Sequence, residues 1–268
     1  MTPDIEISRC AACGFPMPRT ERPEPCPACL LRLVLEGEGG SAEAESLDAE
    51  GASEPEYTVV AVLGSEEDRT VYLARRAGGR GLVELCVARR PSDLSEVAFQ
   101  DRVDEICRLR HAGLARVFAG RMTDDGDVCL VTEFVSGPAI DRYCERFTVT
   151  PRQAVRLFDQ VCEAIDYAHS RGVAHGRLGP RSVLVAGAGP AVVPKVTGWE
   201  VPAAPVTPRG DVQGLVEILR AMASALALRD SLGALVASLP PAGSGGAPES
   251  VARLRAIVAS ALSPAAAG

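Results

Sequence analysis

Apolar positions along this chain follow two periods, and the change from one to the other marks out its elements. From Tyr57 they recur in short runs of period two. Tyr57–Leu63, Thr70–Ala74 and Leu82–Ala88 read as three strands of an antiparallel sheet. Phe99, Val103, Ile106 and Leu109 then repeat at helical spacing and predict a helix over Phe99–Leu109. Two more strands, Ala115–Ala119 and Val128–Val135, flank the turn Thr123–Asp127. Thr150-Pro151 opens a long helix, with Thr as N-cap and Pro at the first helical position. Val155, Phe158, Val161, Ile165 and Ala168 line one face of it, and Gly172 ends it. Two apolar runs, Ser182–Ala186 and Ala191–Thr197, bracket a Gly/Pro turn. Asp211 is read as the start of a helix with Val212, Leu215, Val216, Leu219 and Met222 on one face. A Gly/Pro-rich break at Pro240–Pro248 precedes a last amphipathic helix through Val251, Leu254, Ile257, Val258 and Leu262. Strands gathered first and helices after them give an α+β class.

Residues 1–35 carry a different signal. Cys10-Ala-Ala-Cys13 is followed after twelve residues by Cys26-Pro-Ala-Cys29. Two residues between cysteines let both thiolates reach one ion from a tight turn, and a second such turn completes a tetrahedral shell. So short a segment cannot fold on an apolar core alone, so the metal would hold it together. The expectation is a zinc ribbon with structural Zn on Cys10, Cys13, Cys26 and Cys29; an iron site of rubredoxin type stays open as the other occupant. Four protein ligands leave no open coordination position for catalysis. Leu30–Leu35 (LLRLVL) forms an apolar exit from the ribbon. Residues 36–56 then hold eight carboxylates and no basic residue, and read as a flexible, self-repelling linker.

That linker changes how the overall charge is understood. The net charge is −7, and without those eight carboxylates the rest of the chain comes to +1. No basic surface argues for nucleic acid; Arg9, Arg19, Arg22 and Arg32 on the ribbon read as a solvated rim. No apolar leader is seen, and the most apolar late stretch, Leu215–Leu239, is broken by Glu217, Arg220, Arg229 and Asp230, so no membrane segment is expected. The expected location is cytoplasmic, where nine cysteines point to metal ligands or thiols rather than disulfides.

The segment Ala164–Glu200 resembles the centre of a protein kinase. His175, Leu178 and Pro180 stand as in the family's H-R-D-L-x-x-x-N loop, and Gly198-Trp199-Glu200 stands where D-F-G is expected. "RLRHAGLARVF" and "LVTEFVSG" resemble the segment after the family's helix αC and its hinge. The resemblance covers about Tyr57 to Leu262. It implies a two-lobed protein-kinase-like fold: a small antiparallel-sheet lobe over 57–135, then a truncated helical lobe over 136–268. It also implies that Asp211 is the helix-start Asp that braces the catalytic-loop backbone, and that His175 packs and orients that loop.

Under the same resemblance the chemical positions are altered. The Gly-rich loop reads Gly64-Ser65-Glu66-Glu67-Asp68-Arg69, where only Gly64 survives; side chains at Glu66 and Arg69 and three carboxylates oppose a phosphate. Cys86 takes the position of the phosphate-pairing Lys, and Glu84 the Ala position near the adenine. Arg102 takes the place of the helical Glu. Arg89 and Arg90 would reach the Lys position only through a longer hairpin, and they run straight into Pro91. Arg177 replaces the catalytic Asp and cannot accept a proton near neutral pH. Ser182 replaces the Mg-binding Asn and Gly198 the Mg-binding Asp. Twelve residues separate Gly198 from Asp211, too few for a substrate platform; Thr207 is read as merely lying beside Pro208.

The resulting expectation is a pseudokinase: no catalytic residues, no ATP or Mg, and a protein-interaction or scaffolding role in bacterial signalling. The partner would be another protein, such as a kinase or signalling component. The whole arrangement is similar to bacterial serine/threonine kinases with N-terminal zinc ribbons. The competing reading is a weakly active or unconventional ATP-dependent kinase or other transferase that uses displaced residues such as Arg177 and Glu200.

Overall fold

The computed structural model describes residues 7–9, 16–18, 57–76, 81–123, 126–187, 192–199, 207–226 and 248–261, with the single positions 233, 236 and 239. Two short strands, β1 (Ile7–Arg9) and β2 (Pro16–Pro18), pair antiparallel with Arg9 opposite Pro16. In sequence they flank the first Cys-x-x-Cys pair. Cys10, Cys13, Cys26 and Cys29 themselves, the linker 36–56 and Glu200 lie outside the described residues.

From Tyr57 onward the chain divides into two compact units. The first contains residues up to Ser92 with Glu96–Asp104 and Val117–Phe134; the second contains Asp93–Ser95, Glu105–Arg116 and everything from Val135. The first unit is a five-stranded antiparallel sheet in the order β3-β4-β5-β7-β6, built from β3 (Tyr57–Ser65), β4 (Arg69–Arg76), β5 (Leu82–Ala88), β6 (Val117–Met122) and β7 (Val128–Glu133). Helix α1 (Glu96–Cys107) lies on one face of it. Contact is closest at Gly120: a Cβ there would sit 2.6 Å from both Val103 Cγ2 and Leu130 Cδ2, so only glycine lets helix and sheet approach. Residues opposite each other share a face, which places Val71, Cys86, Leu130 and Gly120 on the α1 side. Tyr72, Ala74, Val83, Leu85 and Val131 form a buried cluster on the other side.

The second unit is helical. It comprises α2 (Ile140–Arg146), α3 (Pro151–His169), a 3-10 turn (Pro180–Ser182), the hairpin β8 (Val183–Ala186) and β9 (Val193–Val196), α4 (Pro208–Ala225) and α5 (Val251–Ala261). The core is built round α3, whose Phe158, Val161 and Ile165 are buried with Leu215, Ile218 and Met222 of α4 and Leu254 of α5. Thr150 caps α3 as its sequence predicts: its hydroxyl accepts from Gln153 N–H while the Gln153 side chain accepts from Thr150 N–H. Gly172, at φ 77°, turns the chain out of the helix.

Four elements depart from the sequence reading. Helix α1 begins three residues earlier and ends at Cys107, so Leu109 is buried but lies beyond it. Strand β6 starts at Val117 because Leu114 and Ala115 pair instead with Val196. Helix α2 was not anticipated. Helix α4 starts at Pro208 rather than Asp211, with Thr207 as its N-cap accepting from Gly210 N–H; Thr207 is therefore structural rather than idle. No described helix is long and apolar enough to cross a membrane.

Candidate functional site

The chain around His175 is folded by hydrogen bonds to one carboxylate. Asp211, in the first turn of α4, is 1% exposed. Its Oδ2 accepts from His175 N–H at 2.6 Å and lies 2.8 Å from His169 Nε2, while Oδ1 accepts from Gly176 N–H at 3.0 Å. Burial alone would raise the pKa of Asp211; the bonds from His169 and from the two amides outweigh it and hold the carboxyl below the ordinary Asp range. Both oxygens are thus spent on bracing the loop. His169 could not be foreseen as a partner, since 42 residues separate it from Asp211 and only the packing of α3 on α4 joins them.

His175 is fully buried and both ring nitrogens are engaged. Nε2 donates to Thr197 O at 2.9 Å, and Nδ1 accepts from Arg177 N–H at 3.2 Å. This pattern assigns the neutral Nε2–H tautomer. The Trp199 ring, 3% exposed, covers the imidazole at 4.8 Å between centroids. His175 therefore fixes the turn, with both ring nitrogens taken up inside the loop.

Ser182 is closed on its own turn. Its hydroxyl donates to Gly179 O at 2.8 Å and accepts from Gly179 N–H at 3.0 Å. Gly198, at φ 74°, follows β9, and a Cβ built on it would lie 4.0 Å from Ser182 Cβ. Arg177 is exposed at the loop surface, with its amide tied to His175. Between Val173 and Ser182 the sequence contains no carboxylate. Leu178 packs under α4, where Gly214 lets the helix approach: a Cβ there would fall 2.2 Å from Leu178 O. The structure thus brings Arg177, Ser182, Gly198, His175 and Asp211 into one cluster in the second unit.

The other candidate positions belong to the first unit. Cys86 is part-buried on β5, opposite Val71 of β4 and Leu130 of β7. Strand β5 ends at Ala88, so Arg89 and Arg90 lie past the ladder. Glu84, one step along on the same face, has its carboxyl pushed up by burial, against a smaller opposing pull from Arg69. Arg102 lies part-buried on α1. The hairpin tip is tight: Glu66 N–H donates to Arg69 O at 2.7 Å, and the Arg69 guanidinium meets the Glu66 carboxylate at 3.3 Å. Gly64 has open space where a Cβ would be, so nothing in its packing demands glycine. Among the described residues no cluster of His, Cys, Asp and Glu is arranged to hold a metal ion.

Comparison with known proteins finds similarity over most of these segments. The family model for protein tyrosine and serine/threonine kinases matches residues 70–196. Serine/threonine-protein kinase PknI of Mycobacterium bovis is 31% identical over 143 residues, 51% of this chain and 24% of that protein. Calcium/calmodulin-dependent protein kinase type 1B of Rattus norvegicus is 29% identical over 132 residues, 48% of this chain and 38% of that protein. The chain thus spans well under half of the length of these relatives. Among solved structures, the Mycobacterium tuberculosis PknI kinase domain is similar with a TM-score of 0.54 and 22% identity, over 81% of this chain and 99% of that one. The fold is the two-lobed protein-kinase fold, with an antiparallel sheet in the first unit and helices in the second.

Proposed function

We propose that this chain, a member of the protein-kinase family through its domain at residues 70–196, is a pseudokinase that binds other proteins in bacterial signalling and does not transfer phosphate. The observation that carries the reading is the state of the loop at 175–182. Where phosphoryl transfer needs a proton acceptor for the substrate hydroxyl there is Arg177, and the hydroxyl at the metal-binding position is bonded to Gly179 on both sides. Among the described residues the one buried carboxylate, Asp211, already has its oxygens filled by His169, His175 and Gly176. Cys86 and Arg102 take the positions of the Lys–Glu ion pair, so nothing cationic at 86 would hold the phosphates. In the family the metal ions bridge the phosphates and neutralise developing charge; the side chains of Ser182 and Gly198 offer no carboxylate or amide oxygen to hold them, and among the described residues this pair does not fit Mg.

Residues that hold shape remain while those that would do chemistry are replaced, which favours a docking role in the cytoplasm. The four-cysteine segment fits a structural Zn held by Cys10, Cys13, Cys26 and Cys29, a second module beside the kinase-like domain. The test follows melting temperature against Mg-ATP up to millimolar concentration, alongside incorporation of labelled γ-phosphate into the chain and a generic substrate. We expect neither a shift nor incorporation. A nucleotide-dependent rise in melting temperature together with label transfer, abolished by substitution at Arg177, would instead establish an unconventional kinase.

A further inference from the structure

The sheet of the first unit is apolar on both sides, but only one side has a described partner. Helix α1 takes the side with Gly120 and Leu130. On the other side Ala74 is 0% exposed, Leu85 1% and Val131 4%, with Tyr72 and Val83 close behind at 6%. Among the described residues, the partly buried hydrophobics packed against them are Tyr57, Val59 and Val87, all of the same sheet. Taller neighbours can shade a short Ala74, but Leu85 stands as high as the side chains beside it, so its burial to 1% requires atoms above it. Two titratable groups on this side agree. Burial pushes the Tyr57 phenol up, and it pushes the Cys129 thiol up to about 12.

We propose that the apolar run Leu30–Leu35 of the same chain lies over this face, fastening the four-cysteine segment to the back of the kinase-like sheet. Five of its six residues are apolar, and residues 36–56 join it to Tyr57, which is itself on the face. A polar chain of that length has a root-mean-square span of about 25 Å. Five strands spaced at about 4.8 Å make a face about 20 Å wide, within that reach. Tethering at this length gives the run an effective concentration in the millimolar range, so modest contacts suffice to keep it in place. Charge also fits. Arg75 and Arg76 are exposed opposite Thr58 and Tyr57, where the strand receives the segment holding eight carboxylates. A second copy on the same face would bring two such acidic segments together, which disfavours it.

The experiment places the photo-crosslinker p-benzoylphenylalanine at Tyr57 in the full chain, irradiates at low micromolar concentration and maps the products by mass spectrometry. The expected product runs as a monomer with its crosslink inside the peptide containing Leu30–Leu35. In the same background Leu31→Asp with Leu33→Asp lowers the yield at least tenfold. A crosslink joining two copies would assign the face to a dimer and overturn the proposal. So would a crosslink that avoids residues 30–35, or one undiminished in the double variant. If the double variant does not fold, the crosslink map of the parent chain decides the matter alone.

Discussion

Replacing Asp211 by Asn tests whether one carboxylate holds the loop together. The Asn side chain keeps one acceptor oxygen and turns an NH2 toward groups that are themselves donors. Oδ2 serves both His175 N–H and His169, and Oδ1 serves Gly176 N–H, so at least one buried amide is left without an acceptor. A hydrogen bond to a charged group contributes about 1.5–3 kcal/mol, and a stranded buried donor costs about 1–3 kcal/mol. A loss of about 3 kcal/mol follows, which lowers Tm by roughly 6–12 °C at about 2–4 °C per kcal/mol for a domain of this size. The pH dependence adds a sign. Asp211 is held below its ordinary value of 3.8 in the folded chain. Its contribution is therefore complete above that value and is lost as pH falls through the lower, folded one. Urea midpoints of parent and variant should differ most at neutral pH and converge below about pH 4. A variant that unfolds with the parent at pH 7, or a gap of constant width down to acid, would refute the reasoning.

Four further substitutions test packing, ion pairing and capping. Gly214→Ala drives a Cβ to 2.2 Å from Leu178 O and should cost about 3 kcal/mol in urea unfolding, whereas Gly210→Ala, with its nearest neighbour at 3.9 Å, should be neutral or mildly stabilising. Arg255→Ala removes a fork on Asp159 at 2.6 and 3.0 Å and a contact with Glu163 at 3.1 Å. These groups are a third to a half exposed, so the loss should be about 0.5–1 kcal/mol and should shrink in high salt. Thr150→Ala breaks the capping box of α3 and should cost about 1 kcal/mol, measured the same way.

The sequence was most readable where a local rule and the tertiary need coincide. Strand alternation placed Val83 and Leu85 on one face and Glu84 and Cys86 on the other, as the ladders have them. Thr150-Pro151 marked the start of α3 to the residue. The same Thr-Pro signature recurs at Thr207-Pro208 and marks α4 equally well. The family's helix-start Asp, matched at Asp211, sets the boundary three residues later than the cap does. Helix α2 gave little signal: it has seven residues, no side-chain cap at Ala139, and only Ile140 and Cys144 buried. The Phe99–Leu109 stripe identified what is buried, but Leu109 reaches the core from a turn closed by Leu109 N–H on Ile106 O. Ala115 reads as a strand residue, but it lies outside β6: its N–H donates to Val196 O, and Leu114 makes an isolated bridge to the same residue, about eighty residues on, where a sequence window cannot see it. The bracing of the loop by Asp211 follows from family likeness; the third partner, His169, is brought in only by the packing of α3 on α4.

Trp199 is the single tryptophan of the chain, and it is sealed against His175 in the loop where a kinase would do its chemistry. The molecule thereby carries its own optical gauge. Emission from an indole shielded from water lies to the blue and moves red on wetting, and a neighbouring imidazole quenches it more strongly once protonated. Anything that pries this loop open can thus be followed by light, in real time, without attaching a label.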